Sequence, residues 1–92
     1  MRQRPENAEI RANLGALLVK RGRFDDGVRE LREALGYDSR CILAYSNLGA
    51  AYEMAGRPGE AITVYEAWLR AAPGDPDARS RMQAVQSRVK GR

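Results

Sequence analysis

The feature that most constrains this chain is an internal repeat at an offset of 34 residues. Asn13-Leu14-Gly15-Ala16 returns as Asn47-Leu48-Gly49-Ala50, Gly22-Arg23 as Gly56-Arg57 and Leu35 as Leu69, in one register without a gap. Asp26/Glu60 and Val28/Ile62 are conservative matches in the same register. Self-similarity at this period is the signature of stacked repeat architectures, in which each unit packs on its neighbours. The 92 residues then divide into a lead-in (1–7), a first unit (8–41), a second unit (42–75) and a final helix with a basic tail (76–92).

Each unit reads as a helical hairpin. Ile10, Ala12, Leu14, Leu17 and Leu18 are spaced for one helix face between Ala8 and Arg21, and are expected to form its core stripe. Gly22 stops that helix, and Asp25 and Asp26 open the next, where acidic residues complement the helix dipole. Val28, Leu31, Ala34 and Leu35 give this second helix its stripe. In the second unit, Ile42 to Ala55 carries Ala44, Tyr45, Leu48, Ala51 and Tyr52, and Gly56 closes it. Pro58 suits a first helical position, and Ala61, Ile62, Tyr65, Trp68 and Leu69 line the partner helix. The connections are short, so the helices of a unit pack antiparallel. Gly15 and Gly49 cost about 1 kcal/mol each against alanine inside a helix, which points to close backbone approach. Asp77–Lys90 is apolar on one side only, at Ala78, Met82, Val85 and Val89, as a cap over the last hydrophobic face requires. Pro5-Glu6-Asn7-Ala8 reads like the end of a preceding unit running on, which suggests either a fragment of a longer protein or a first hairpin left uncapped as an exposed stacking face.

Tyr45-x₂-Leu48-Gly49-x₂-Tyr52, then Ala61-x₃-Tyr65 and Pro73, resembles the tetratricopeptide repeat. The first copy departs from that pattern: Arg11 stands for the first aromatic, Leu18 for the second and Ser39 for the proline. The resemblance implies an all-α fold, a right-handed α-α superhelix of five helices here, and a non-enzymatic protein-binding role. It also implies a concave groove lined by the first helices of successive units.

In that register the inward positions are Glu9, Ala12, Asn13, Ala16, Val19 and Lys20, then Leu43, Ser46, Asn47, Ala50, Glu53 and Met54, and on the last helix Asp77, Ser80, Arg81, Ala84, Ser87 and Arg88. The site expected from these is Asn13, Ala16, Lys20, Asn47, Ala50, Glu53, Met54, Arg81 and Arg88, holding a peptide or a partner helix. Asn13 and Asn47 share one register position, and an amide can bond a peptide backbone of any sequence. The competing role for these amides is to satisfy backbone groups within their own repeat. Family members that grip the acidic C-termini of heat-shock chaperones use a clamp whose first-repeat Lys and Asn would fall at Ala12 and Ala16. Neither can serve, although Asn47 and Arg81 match, so a chaperone clamp is not expected.

Composition removes other classes. With no histidine there is no Ser/His/Asp triad, no Cys/His pair and no His-containing zinc site; nothing supplies a general base near neutral pH, and no cofactor is implied. Cys41 alone cannot form an internal disulfide; at a helix start the dipole could lower its pKa, but a plain small residue at a repeat junction is the better reading. No apolar run approaches the ~20 residues of a membrane span, and no signal-peptide core follows Met1, so a cytoplasmic protein is expected. Arg-rich, Lys-poor usage suggests a high-GC bacterial origin. The net charge of +4 sits at the two ends, away from most of the aromatics, which weighs against nucleic acid. Two alternatives to groove binding stay open: self-association through the uncapped first hairpin, and weak nucleic-acid binding by Arg79, Arg81, Arg88, Lys90 and Arg92.

Overall fold

A computed structural model describes residues 5–90, all in helices or short turns. The helices are α1 (Pro5–Lys20), α2 (Phe24–Tyr37), α3 (Ile42–Met54), α4 (Pro58–Ala71) and α5 (Pro76–Lys90). Residues 1–4 of the lead-in lie outside the described part. Pro5–Ala8 form the first turn of α1, where proline at a first helical position is already set for the helix.

The two Gly-Arg pairs build one identical turn. Gly22 and Gly56 have φ of 84° and 73°, a left-handed conformation that side chains other than glycine rarely adopt. In the first turn the N–H of Arg23 donates to the Leu18 carbonyl at 2.9 Å, and the N–H of Gly22 to Val19 at 3.0 Å. In the second, Arg57 donates to Tyr52 at 2.8 Å and Gly56 to Glu53 at 3.1 Å. These paired bonds satisfy the last free carbonyls of α1 and α3 and end both helices in the same geometry. Each arginine at once precedes the next helix, so the chain reverses within three residues.

Packing follows from small residues where the helices cross. A Cβ on Gly15 would lie 2.7 Å from Leu31 Cγ and 2.8 Å from the Gly27 carbonyl, and one on Gly49 would enter the Tyr65 ring. Gly27, in α2, meets Val19 and the Gly15 carbonyl equally closely, so α1 and α2 touch backbone to backbone. The core runs along the molecule through Leu31, Tyr52, Tyr65, Trp68 and Val85, each at most 3% exposed. Alternate helices form two layers, α1, α3 and α5 in one and α2 and α4 in the other, in a slab of 47 × 32 × 14 Å.

The expected core stripe of α1 is the main departure. Ala8, Ala12 and Gly15 face the core, whereas Ile10, Leu14 and Leu17 are 65, 45 and 47% exposed. Periodicity correctly put those three on one face, but no other helix of the structure covers it. Val89 of α5 is also half exposed, at the end of its stripe.

Candidate peptide-binding groove

The first helices of the two hairpins, α1 and α3, lie side by side, and α5, packed on α4, reaches α3 through the Arg88–Glu53 pair. Of the expected groove residues, Asn13, Lys20, Met54, Arg81 and Arg88 are exposed, and Ala16, Asn47, Ala50 and Glu53 are half-buried. Ala12 is fully buried against the core and does not line the surface; Val19 is half-buried and packs on Gly27. No buried side-chain N or O among the described residues lacks a hydrogen-bond partner. Asn13 is exposed and Asn47 half-buried on the same register position of α1 and α3.

At the far end of the groove, three side chains that the register assigned separately form one cluster. The Arg88 guanidinium pairs with Glu53 Oε1, and the Tyr65 hydroxyl donates to Glu53 Oε2 at 2.5 Å. Burial, and then the Glu53 carboxylate, push the Tyr65 pKa up to about 12, with Arg81 acting in the opposite sense. Tyr65 therefore stays a donor at any physiological pH. Glu53 is consequently occupied and contributes little free negative charge to the surface. Arg81 sits 6.0 Å above the Trp68 ring, a cation–π placement that keeps its guanidinium at the groove wall. A cavity of about 230 Å³, lined by Glu53, Gly56, Pro58, Val85, Arg88 and Val89, opens beside this cluster.

The junctions around the groove are held by side chains outside it. Trp68 Nε1 donates to Asp75 Oδ2 at 3.1 Å, while Asp75 Oδ1 accepts the N–H of Asp77 at 2.8 Å and caps α5. The Tyr45 hydroxyl donates to the Ser39 carbonyl at 2.7 Å and fastens the α2–α3 turn. Arg11, where the repeat pattern has an aromatic residue, instead donates to Glu30 at 3.0 Å and Glu33 at 3.3 Å and lies 4.9 Å over the Tyr37 ring. Sequence reasoning missed that role, although an arginine at i with tyrosine and glutamates on the facing helix is a legible signal.

Asp25 and Asp26 lie in the first turn of α2 without making a side-chain cap. Asp26 is instead held by Arg23 and Arg29, both at 2.6 Å. Cys41 is 5% exposed, and burial pushes its thiol pKa up, overturning any lowering by the α3 dipole. Of the residues that would carry nucleic-acid binding, Arg79, Arg81, Arg88 and Lys90 are exposed on α5, Arg88 is paired with Glu53, and Arg92 lies outside the described residues. Among the described residues no cluster of three or more His, Cys, Asp or Glu could hold a metal ion, and no helix is long and apolar enough to cross a membrane.

Comparison with known proteins agrees with this geometry. A profile of the tetratricopeptide repeat matches residues 12–76. The chain is also 30% identical over 83 residues to the tetratricopeptide repeat domain-containing protein PYG7, chloroplastic, of Arabidopsis thaliana. That match covers 90% of this chain but 28% of the relative, so the chain spans little more than a quarter of that protein. Repeats of this kind generally mediate protein–protein interaction and are typically non-enzymatic scaffolds. With two helical hairpins in the repeat register, the Leu-Gly contacts in place and the profile across most of its length, the chain belongs to the tetratricopeptide repeat family.

Proposed function

We propose that this chain is a non-enzymatic interaction module that holds an extended peptide segment of a protein partner in the groove across α1, α3 and α5. The observation that carries the reading is the pair of amides, Asn13 and Asn47, at one register position on adjacent helices. Each offers a donor and an acceptor, which together can bracket a peptide group whatever side chain it bears. The small side chains of Ala16, Ala50 and Ala84 beside them leave room for a peptide backbone to approach. Lys20 and Arg81 supply exposed positive charge, while Glu53 is neutralised by Arg88, so the bound segment is neutral or acidic. The cytoplasm is the compartment in this reading, where a reducing medium suits the single free thiol of Cys41.

The test is affinity capture with the whole chain and with its Asn13→Ala/Asn47→Ala variant, read by mass spectrometry and then by titration of the captured protein. Each lost amide bond is worth about 0.5–1.5 kcal/mol, so the double variant should bind roughly 10- to 100-fold more weakly with unchanged helicity. A partner that binds both forms equally would place its site elsewhere on the molecule.

A further inference from the structure

The cavity of about 230 Å³ beside the Glu53–Arg88 pair has a template inside the same molecule. The 34-residue counterparts of its wall residues Gly56, Val85, Arg88 and Val89 are Gly22, Ala51, Met54 and Ala55, and that of Pro58 is Phe24. At the first junction this position carries a ring. Phe24 packs against the core, meets Tyr52 edge-on at 5.7 Å and lies under the Arg57 guanidinium at 5.4 Å. Pro58 and Gln86 stand where Phe24 and Tyr52 would recur, and neither brings a ring. The second junction therefore keeps a space where the first has an aromatic pair. That space is not one that a following helix closes. α4 follows α3 and packs on it through Gly49 and Tyr65, yet Met54 is 70% exposed and Ala55 is exposed as well.

Size and chemistry select the occupant. An apolar cavity of about 150 Å³ already admits benzene. The larger space here accommodates a phenyl ring together with the carbon that joins it to a backbone. Gly56, Pro58, Val85 and Val89 offer apolar walls, and the Arg88 guanidinium at the rim can make the cation–π contact that Arg57 makes on Phe24. Charge around the mouth selects the flanks of that ring. Arg57 is paired with Glu60 at 3.6 Å and Arg88 with Glu53, which balances the near wall. α5, by contrast, carries four basic residues against one acidic, Asp77 in its first turn, and Lys90 directly follows the wall residue Val89. Acidic neighbours on a ligand complement that excess. Glu53 and Arg88 also belong to the groove row, so a segment held in the groove reaches the cavity without leaving the surface.

We infer that this cavity is an anchor pocket for the phenyl ring of an acidic peptide segment of the protein partner. The class of partner rests on the groove reading above, and the seat of the ring on the two junctions of this chain.

The test is methyl and amide shift mapping of the full isotope-labelled chain with short capped peptides that span the cavity and not the amide row. Three peptides set phenylalanine, leucine or alanine between two aspartates, and a fourth sets phenylalanine between two lysines. The phenylalanine peptide with aspartates should shift the Val85 and Val89 methyls and the Gly56 amide. At low salt it should bind at least about tenfold more tightly than the alanine and lysine-flanked peptides, and several-fold more tightly than the leucine peptide. Pro58→Phe rebuilds the ring of the first junction from within, and that variant, checked for native helicity by circular dichroism, should lose the shifts. Asn13→Ala/Asn47→Ala should keep them, so the pocket and the amide row fail separately. No shift at Val85 or Val89 up to about 10 mM peptide overturns the inference. So does a leucine, alanine or lysine-flanked peptide that binds as tightly, a Pro58→Phe chain that binds undiminished, or shifts lost with the two amides.

Discussion

At the scale of single residues, the same substitution should have opposite signs at two glycines. Gly49→Ala would place a methyl in the Tyr65 ring, and Gly36→Ala, with nothing within 4 Å of its Cβ, would place one in open space. The first should cost about 1–3 kcal/mol despite the better helix propensity of alanine, because the ring is locked in the core. The second should stabilise by about 0.5–1 kcal/mol. Urea unfolding of the two variants against wild type checks both signs. Tyr65 gives a pH dependence at the same scale. Burial and then Glu53 raise its pKa from 10.0 to about 12, so the folded chain keeps a proton that the unfolded chain loses earlier. That contribution is complete below pH 10.0 and falls away as the pH rises towards 12, by about 3 kcal/mol. Tyr65→Phe should flatten the stability profile across that window, and an unchanged slope would show that Tyr65 does not set it.

At the scale of elements, helix ends decide which segments hold. Asp75 caps α5 and accepts the Trp68 indole N–H in one side chain, tying the last helix to the core of the second repeat. Asp75→Ala removes the cap and leaves a buried donor unpaired, which should cost about 2–3 kcal/mol in equilibrium unfolding and shift the Trp68 emission. Element boundaries were largely legible in the sequence because glycine carried them: Gly22 and Gly56 sit where only a left-handed residue closes the helix. The antiparallel hairpins were legible because their connections are too short for anything else. The environment of the α1 stripe was not. Periodicity states which residues share a face, and Ile10, Leu14 and Leu17 do share one, but what covers that face depends on a neighbour that no local pattern encodes. Gly27 escaped notice for a related reason, since its close contact with Gly15 exists only once the two helices are crossed.

At the scale of the whole molecule, two hairpins and a covering helix make a slab 14 Å in its thinnest direction, so most residues are near a surface. Stability in such a stack comes from neighbouring units, and α3 is the element gripped from most sides, by α1, α2 and α4. The layer that carries the groove is thus fixed in its middle. The register alone placed Asn13, Asn47 and Arg81 in one row, because a repeated offset converts sequence position into place on a surface. It could not foresee that Glu53 would be taken up by Arg88 and Tyr65, an arrangement that needs α3, α4 and α5 together. The central claim is that the row of side chains across α1, α3 and α5 is where a protein partner is held. Backbone amide shift mapping of the isotope-labelled chain, titrated with a peptide selected for binding from a random display library, tests this most directly. The largest shifts should fall on residues 13, 16, 47, 50, 81 and 84 and disappear in Asn13→Ala/Asn47→Ala. Shifts confined to the opposite face, on α2 and α4, or unaltered in that variant, would contradict it.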